Sequence, residues 1–424
     1  MFPPDGTLES HLDLLASVGG NYVRNTMSHR DQGPPGWARM ADGRNVYPFI
    51  RLDNGKFDLD QPNPEYWQRF DNFLRMTDER DIIVQIEIWD MHDFFRDDWP
   101  KMNPWNPQNN ITYSENNTSL LKDYGGSMLT IRLDSIKHDF FFSVPNLNND
   151  SILLYYQQRF VDKLLSHSLK YSHVLYCISN EMHPHFSEEW GLYWARYLHE
   201  KARKAGKSIE VTEMYWTPGL DDDQLRSSLI EHPDLFTYFE ASQNSGRWQN
   251  GLKYARLVMA NKPRPINNVK LYGSEVDRFW MNIFGGSASV RFHRPPYGEF
   301  EGRHGGGLGL NSIAQAQIKS ARLLFEHFNI FESTTDWDHN LFIDRGEYQA
   351  LLLYHPGKQY ALYFPHGCTV KLDLSEASGK WKLRWLDIDE SRWAQEQTLH
   401  GGGHVDITTP DEGRWAAVIL PVIN

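Results

Sequence analysis

An apolar helical stripe followed at once by a short apolar strand, and then the same unit again, is the pattern that most limits how this chain can fold. Leu8, Leu12, Leu15 and Val18 recur at three-to-four spacing and stop at Gly19-Gly20, after which NYVRNTM (21–27) reads as a strand. Asn63 as a cap and Pro64 at the first helical position open a second helix, which turns Trp67, Phe70 and Leu74 inward and feeds the strand DIIVQIEIWD (81–90). The unit returns as a helix near 151–170 before HVLYCISNE (173–181), and as another near 187–205 before SIEVTEMYW (208–216). LFTYFEAS (235–242), VKLYGSEV (269–276) and GGSASVRFH (285–293) follow as further strands. Strands that alternate with helices pair in parallel and are covered by those helices.

The count of seven strands is one short of a closed (β/α)8 TIM-type barrel. Because the chain opens on a helix, the expectation is that strand one is missing at the N-terminus; the alternative is a strand hidden in the long segment 91–150. That segment leaves the carboxyl end of a strand, the face on which barrel sites are built, and loops of such length are usually functional. After a last barrel helix at about 311–329 the texture changes. EYQALLLYHPGKQYALYFPHGCTVKLDL, KWKLRWLDI, HVDITT and RWAAVILPV alternate apolar and polar residues with no helical period, which argues for a small antiparallel β-sandwich. The expected fold class is therefore α/β, a TIM-type barrel over 1–342 followed by a β-sandwich over 343–424.

Composition narrows the function classes. The net charge of −12 provides no cationic surplus for a phosphate backbone or an anionic membrane, so nucleic acid is not an expected partner. No apolar run approaches the length of a membrane span. The opening MFPPDGTLES lacks a charged-then-apolar leader, and the start reads as truncated, which leaves a periplasmic or secreted location open. Cys177 and Cys368 fall in different units, so no structural disulfide is expected. The oligomeric state is not readable.

Two carboxyl groups stand out by position. Ser179-Asn180-Glu181 ends one strand and Gly273-Ser274-Glu275 ends another, each where a barrel strand becomes its active-face loop. Cutting a glycosidic bond needs one carboxylic acid to protonate the leaving oxygen and a second carboxylate to attack or to activate water. With strand one missing, HVLYCISNE is strand four and VKLYGSEV is strand seven. In this the chain resembles the clan A glycoside hydrolases, barrels with Asn-Glu at the end of strand four and a nucleophilic glutamate at the end of strand seven.

The resemblance implies a retaining glycosidase that acts on an oligo- or polysaccharide without a cofactor, with Glu181 as acid/base and Glu275 as nucleophile. It implies that Asn180 hydrogen-bonds the sugar 2-hydroxyl, that Arg24 pairs with Glu275, and that Tyr238 fills the place of a strand-six tyrosine, with Glu240 as its rival. Acid catalysis would require Glu181 to be neutral at working pH, held so by burial or by the charge of Glu275. Trp89, His92, Tyr215, Trp216, Trp280 and His293 end strands on the same face and are candidate subsite residues; Trp105 is either a stacking platform or an anchor of its own loop. Trp381, Trp385 and Trp393 read as structural.

Other chemistries find less support. GRHGGGLGL (302–310) is not placed as a dinucleotide loop, no Walker lysine is present, and G-x-S-x-G is absent. His183 and His185 lack metal-site spacing, so no metal is expected. The alternatives kept are a carbohydrate-binding barrel that has lost activity and a metal-dependent barrel hydrolase.

Overall fold

The computed structural model describes residues 7–27, 46–94, 98–124, 137–182, 187–215, 228–242, 260, 262–272, 276–293, 309–336 and 338–422. Helix α1 (Thr7–Ser17) leads into β1 (Tyr22–Thr26), and a hairpin of β2 (Phe49–Arg51) and β3 (Phe57–Pro62) follows. Helix α2 (Pro64–Asp78) begins as its sequence requires, with the Asn63 side chain accepting from the Glu65 N–H and proline in the first turn. The barrel then continues through β4 (Ile83–Asp90), α3 (Asp98–Met102), α4 (Ser151–Ser168), β5 (Val174–Asn180), α5 (Glu188–Lys204) and β6 (Glu210–Thr212). It is completed by β7 (Phe239–Glu240), β8 (Ile266–Tyr272), α6 (Val276–Phe284), β9 (Ser289–His293) and α7 (Ser312–Phe325).

All of the barrel ladders are parallel. Strands run in the order β1-β4-β5-β6 in one sheet and β7-β8-β9 in another, and the Thr237 N–H donates to the Val211 carbonyl at 2.9 Å to join them. The combined sheet curls until β9 comes back beside β1, where Asn267 Nδ2 of β8 donates to Tyr22 Oη at 3.0 Å. Among the described residues of 91–150 no strand joins this sheet; Asn110 makes only an isolated bridge to Phe57 of the hairpin. Outside the strands, Trp67, Phe160, Trp190 and Trp194 of α2, α4 and α5 form the layer that hides the sheet from water.

The rest is antiparallel: β10 (Thr334–Thr335), β11 (Phe342–Asp344), β12 (Leu351–His355), β13 (Gln359–Phe364), β14 (Thr369–Asp373), β15 (Lys380–Asp387), β16 (Arg392–His400), β17 (His404–Thr408) and β18 (Trp415–Pro421). A six-stranded sheet, β10-β12-β13-β18-β15-β16, faces a three-stranded one, β11-β14-β17. Pairing begins at Thr334, ahead of the expected division between 342 and 343. The architecture is thus a TIM-type barrel followed by a β-sandwich.

The large sheet is buried on both sides, which explains runs such as Leu351-Leu352-Leu353. Leu352, Leu362, Phe364, Trp385 and Ile419 point into the sandwich core, while Leu351, Leu353, Tyr363 and Val418 pack on α6 and α7 of the barrel. Polar bonds fix that junction. Asp277 Oδ1 of α6 accepts from Tyr363 Oη at 2.7 Å and from Arg414 Nε at 3.2 Å, and Gln317 Nε2 of α7 donates to Asp389 Oδ1 at 3.1 Å.

Candidate active site

The parallel register of β4 and β5 sets Asp90 opposite Asn180 at the carboxyl ends of both strands. Asp90 Oδ1 accepts from Asn180 Nδ2 at 3.0 Å and from the backbone N–H of His92 at 3.0 Å, which caps the short 3-10 turn Met91–Asp93 and carries His92 toward the end of β5. There His92 Nε2 lies 2.8 Å from Glu181 Oε2. From β8, Lys270 Nζ donates to Glu181 Oε1 at 2.5 Å and to Asn180 Oδ1 at 2.7 Å. Three chain segments thus converge on one carboxylate.

Glu181 itself sits at φ 60°, the left-handed region that costs a side-chain-bearing residue about 1–2 kcal/mol. The neighbouring bonds hold it there. The Met182 N–H donates to the Met214 carbonyl at 2.7 Å, and the Ser179 N–H donates to Glu213 Oε1 at 2.8 Å. Glu213 follows β6 and is sealed behind the turn. Burial pushes its carboxyl well above the usual range, against the pull of the Ser179 and Met214 N–H donors.

The charge state of Glu181 departs from the expectation of a neutral acid. Burial opposes its ionisation, but the Lys270 ammonium and His92, through charge and hydrogen bonds, outweigh burial and hold the carboxyl well below the ordinary range. Lys270 lies inside the strand VKLYGSEV, where nothing in the sequence marks it as a partner of Glu181. Burial lowers the Lys270 pKa, with Arg24 adding to the shift and Glu181 and Glu87 opposing it.

Beneath this cluster, Arg24 Nη2 pairs with Glu87 Oε2 at 2.7 Å and donates to Thr26 Oγ1 at 2.9 Å, and the Thr26 hydroxyl donates to Glu87. The carboxylate that the described residues offer Arg24 is therefore Glu87, one strand over. The proposed partner, Glu275, lies outside the described residues, as do Trp216, His183 and His185. Glu240 ends β7 fully buried; burial pushes its carboxyl up to about 7 in spite of the bonds from Ser242 and Gln85.

Several aromatic candidates turn away from this end of the barrel. Trp89 is packed against Trp105, Phe140, Phe160 and Trp194, which leaves no ring face for a ligand. Trp105 is buried in the same cluster and so is the anchor of its loop. Trp280 stacks on Tyr363 at 5.7 Å in the junction with the sandwich. Tyr238 is buried and donates to the Tyr176 carbonyl at 3.2 Å, so its hydroxyl serves the barrel wall. Trp89, Trp280 and Tyr238 are thus corrected from subsite to packing roles, and for Trp105 the loop-anchor alternative applies. Tyr215 remains half-buried beside the turn, bridged to Met182, and His293 closes β9 opposite Tyr272.

Lys270, Asp90, Glu87 and Glu213 belong to the site and were not singled out from sequence. The signal available was a charged residue inside a strand otherwise buried on both faces, as in Val269-Lys270-Leu271 and Ile86-Glu87-Ile88. Among the described residues no group of three or more His, Cys, Asp or Glu side chains gathers to hold a metal ion, and no helix is long and apolar enough to cross a membrane.

No family model and no curated protein matches this sequence. Solved structures do match in three dimensions. One described as a glycoside hydrolase superposes with a TM-score of 0.61 at 11% identity, over 98% of this chain and 88% of that one. The fold is shared with glycoside hydrolases. A glycoside hydrolase family 5 protein from Bacteroides vulgatus gives 0.59 at 12% identity, over 98% and 85%. A second Bacteroides vulgatus protein, a candidate glycoside hydrolase, gives 0.64 at 13% identity, over 99% and 76%.

Proposed function

We propose that the protein is a retaining glycosidase of an oligo- or polysaccharide, with Glu181 as acid/base and Glu275 as nucleophile. The observation that carries this reading is the Glu181 carboxylate, held at the carboxyl end of β5 in a strained backbone by His92 and Lys270, with Lys270 also bonded to Asn180. Its side chain keeps 15% exposure, enough for a ligand atom to reach it. The fold shared with glycoside hydrolases supports the same reading.

In the first step, acid Glu181 protonates the leaving oxygen while Glu275 attacks the anomeric carbon. In the second, ionised Glu181 takes a proton from water. The ionised resting state suits that second step directly. Asn180, shared between Asp90 and Lys270, retains one N–H and one lone pair for the sugar 2-hydroxyl. The barrel carries the site, and the strands from Thr334 onward brace it through α6 and α7.

Glu181→Gln and Glu275→Gln should each lower kcat/KM on a cleaved glycoside by about 10³-fold or more, with the thermal midpoint of unfolding little changed. An NMR time course in which the first sugar released has the inverted configuration would reject retention. One observation favours a second reading, a carbohydrate-binding barrel without turnover: the ion pair that Glu181 makes with Lys270. Sugar binding across a glycan panel with no hydrolysis would decide for it.

A further inference from the structure

Strand β8 is irregular where it matters most. Its register against β9 slips between Asn268 and Leu271, a β-bulge that takes Val269 and Lys270 out of the regular ladder. Side chains hold the freed backbone instead. The Val269 N–H donates to Ser242 Oγ at 2.8 Å, the Lys270 N–H to Asn268 Oδ1 at 3.2 Å, and Arg291 Nη1 to the Val269 carbonyl at 3.0 Å. The bulge aims a buried lysine, its side chain 6% exposed, at the Asn180-Glu181 turn.

We propose that Lys270 is the proton reservoir of Glu181, its ammonium passing a proton to that carboxylate as the leaving oxygen is protonated and recovering it when water is deprotonated. This rests on the glycosidase reading above. The Lys270 N–H breaks as the Glu181 O–H forms. The Glu181 O–H then breaks as the leaving oxygen gains its hydrogen and keeps the electron pair of the broken glycosidic bond. In the second step the water proton goes to Glu181 and on to the neutral Lys270 amine, while the water oxygen bonds the anomeric carbon and the nucleophile departs with its electrons.

The geometry supports such a transfer, since Nζ donates directly to Oε1 with no intervening group. The surroundings favour it too. Two buried opposite charges are costly to desolvate, so moving one proton to give a neutral amine and a neutral acid competes with the ion pair, the more so once a ligand expels water. Among the described residues, the charged groups around Lys270 include Glu181, Arg24, Glu87 and Glu240, and those facing Glu181 include Lys270 from β8 and His92 from the turn after β4. Arg24 disfavours charge on the lysine, and Glu181 retains it at rest.

Lys270→Met and Lys270→Arg separate proton supply from positioning, with Lys270→Gln in place of the first if it fails to fold. The full chain is assayed on 2,4-dinitrophenyl glycosides, whose leaving group needs no proton, and on alkyl glycosides of the same sugars. Lys270→Met should lose about 10²-fold or more in kcat/KM on alkyl glycosides and no more than about tenfold on the dinitrophenyl substrates. Lys270→Arg should stay impaired on alkyl glycosides, because a guanidinium holds its proton. Restoration by Lys270→Arg, or equal losses on both substrate types, overturns the proposal and leaves Lys270 a positioning residue. Carbon-13 NMR of the Glu181 carboxyl adds a readout free of substrate, with its titration midpoint expected to rise in Lys270→Met. A cleaving wild type whose Glu181 midpoint stays put in Lys270→Met overturns the proposal alone. A wild type that cleaves no glycoside of the panel overturns the glycosidase reading, and the proposal with it.

Discussion

The two interiors of this molecule are built on opposite terms. The sandwich core is apolar, with Leu362, Phe364, Leu383, Trp385 and Ile419 all buried between the sheets. The upper barrel holds Arg24, Glu87, Glu181, Glu240 and Lys270 within a few strands of one another, and Arg24 Nη1 and Glu87 Oε1 find no hydrogen-bond partner among the described residues. Burying apolar surface stabilises a fold at roughly 25 cal/mol per Å², whereas burying ions costs stability unless their pairing is excellent. The contrast teaches that the sandwich is composed for stability, while the barrel end carries buried charges that cost stability.

Three substitutions put that contrast at risk. The largest effect is expected from Trp385→Ala, which opens a cavity beside Phe364 and Trp415 and should cost about 3–5 kcal/mol in urea unfolding. Turnover per folded molecule should hold. Arg24→Met comes next, at about 3 kcal/mol, because among the described residues it leaves the Glu87 carboxylate with the Thr26 hydroxyl as its one hydrogen-bond donor. The double variant Arg24→Met/Glu87→Met should recover that stability or exceed it while activity stays low. If the double is as unstable as the single, the pair is structural and the contrast fails.

The smallest effect lies in the pH dependence of Glu240. Its carboxyl is held at about 7 in the fold against the ordinary 4.5 of a glutamate, so the folded chain keeps a proton that the unfolded chain has lost. That contribution is fully present below pH 4.5, declines as pH rises, and is gone above about 7. It amounts to at most about 3 kcal/mol. Denaturant titrations of wild type and Glu240→Gln should therefore show the wild type losing stability relative to the variant over that window; parallel curves would remove Glu240 from the buried charges that define the contrast.

What could be read in advance follows the range of the forces involved. Helix α2 was legible because its cap and first-turn proline act within a few residues. The Asn180-Glu181 turn was legible because it ends a strand of plain apolar character. Strand β7 was not: residues 235–242 promised a strand, but the N–H groups of Leu235 and Phe236 turn back to the His232 carbonyl, leaving Phe239–Glu240 to pair. Lys270 stayed hidden because its aim depends on a bulge, which leaves no periodic mark. The alternation expected of β13 fails because helices α6 and α7 cover the face that would otherwise meet water, so Gln359–Phe364 is buried throughout. Trp89 and Trp280 looked available for a sugar because a strand-end or loop tryptophan carries no sequence sign of which layer receives it.

The grip of Tyr363 and Arg414 on Asp277 makes the two units poor candidates for exchange. A chain cut ahead of Thr334 would bare Trp280, Phe284 and Leu324 to solvent and release the first turn of the helix that follows Glu275. Anyone grafting this barrel onto a different C-terminal module would have to bring along an aromatic hydroxyl and a guanidinium at the same two heights, or accept a looser helix beside the site.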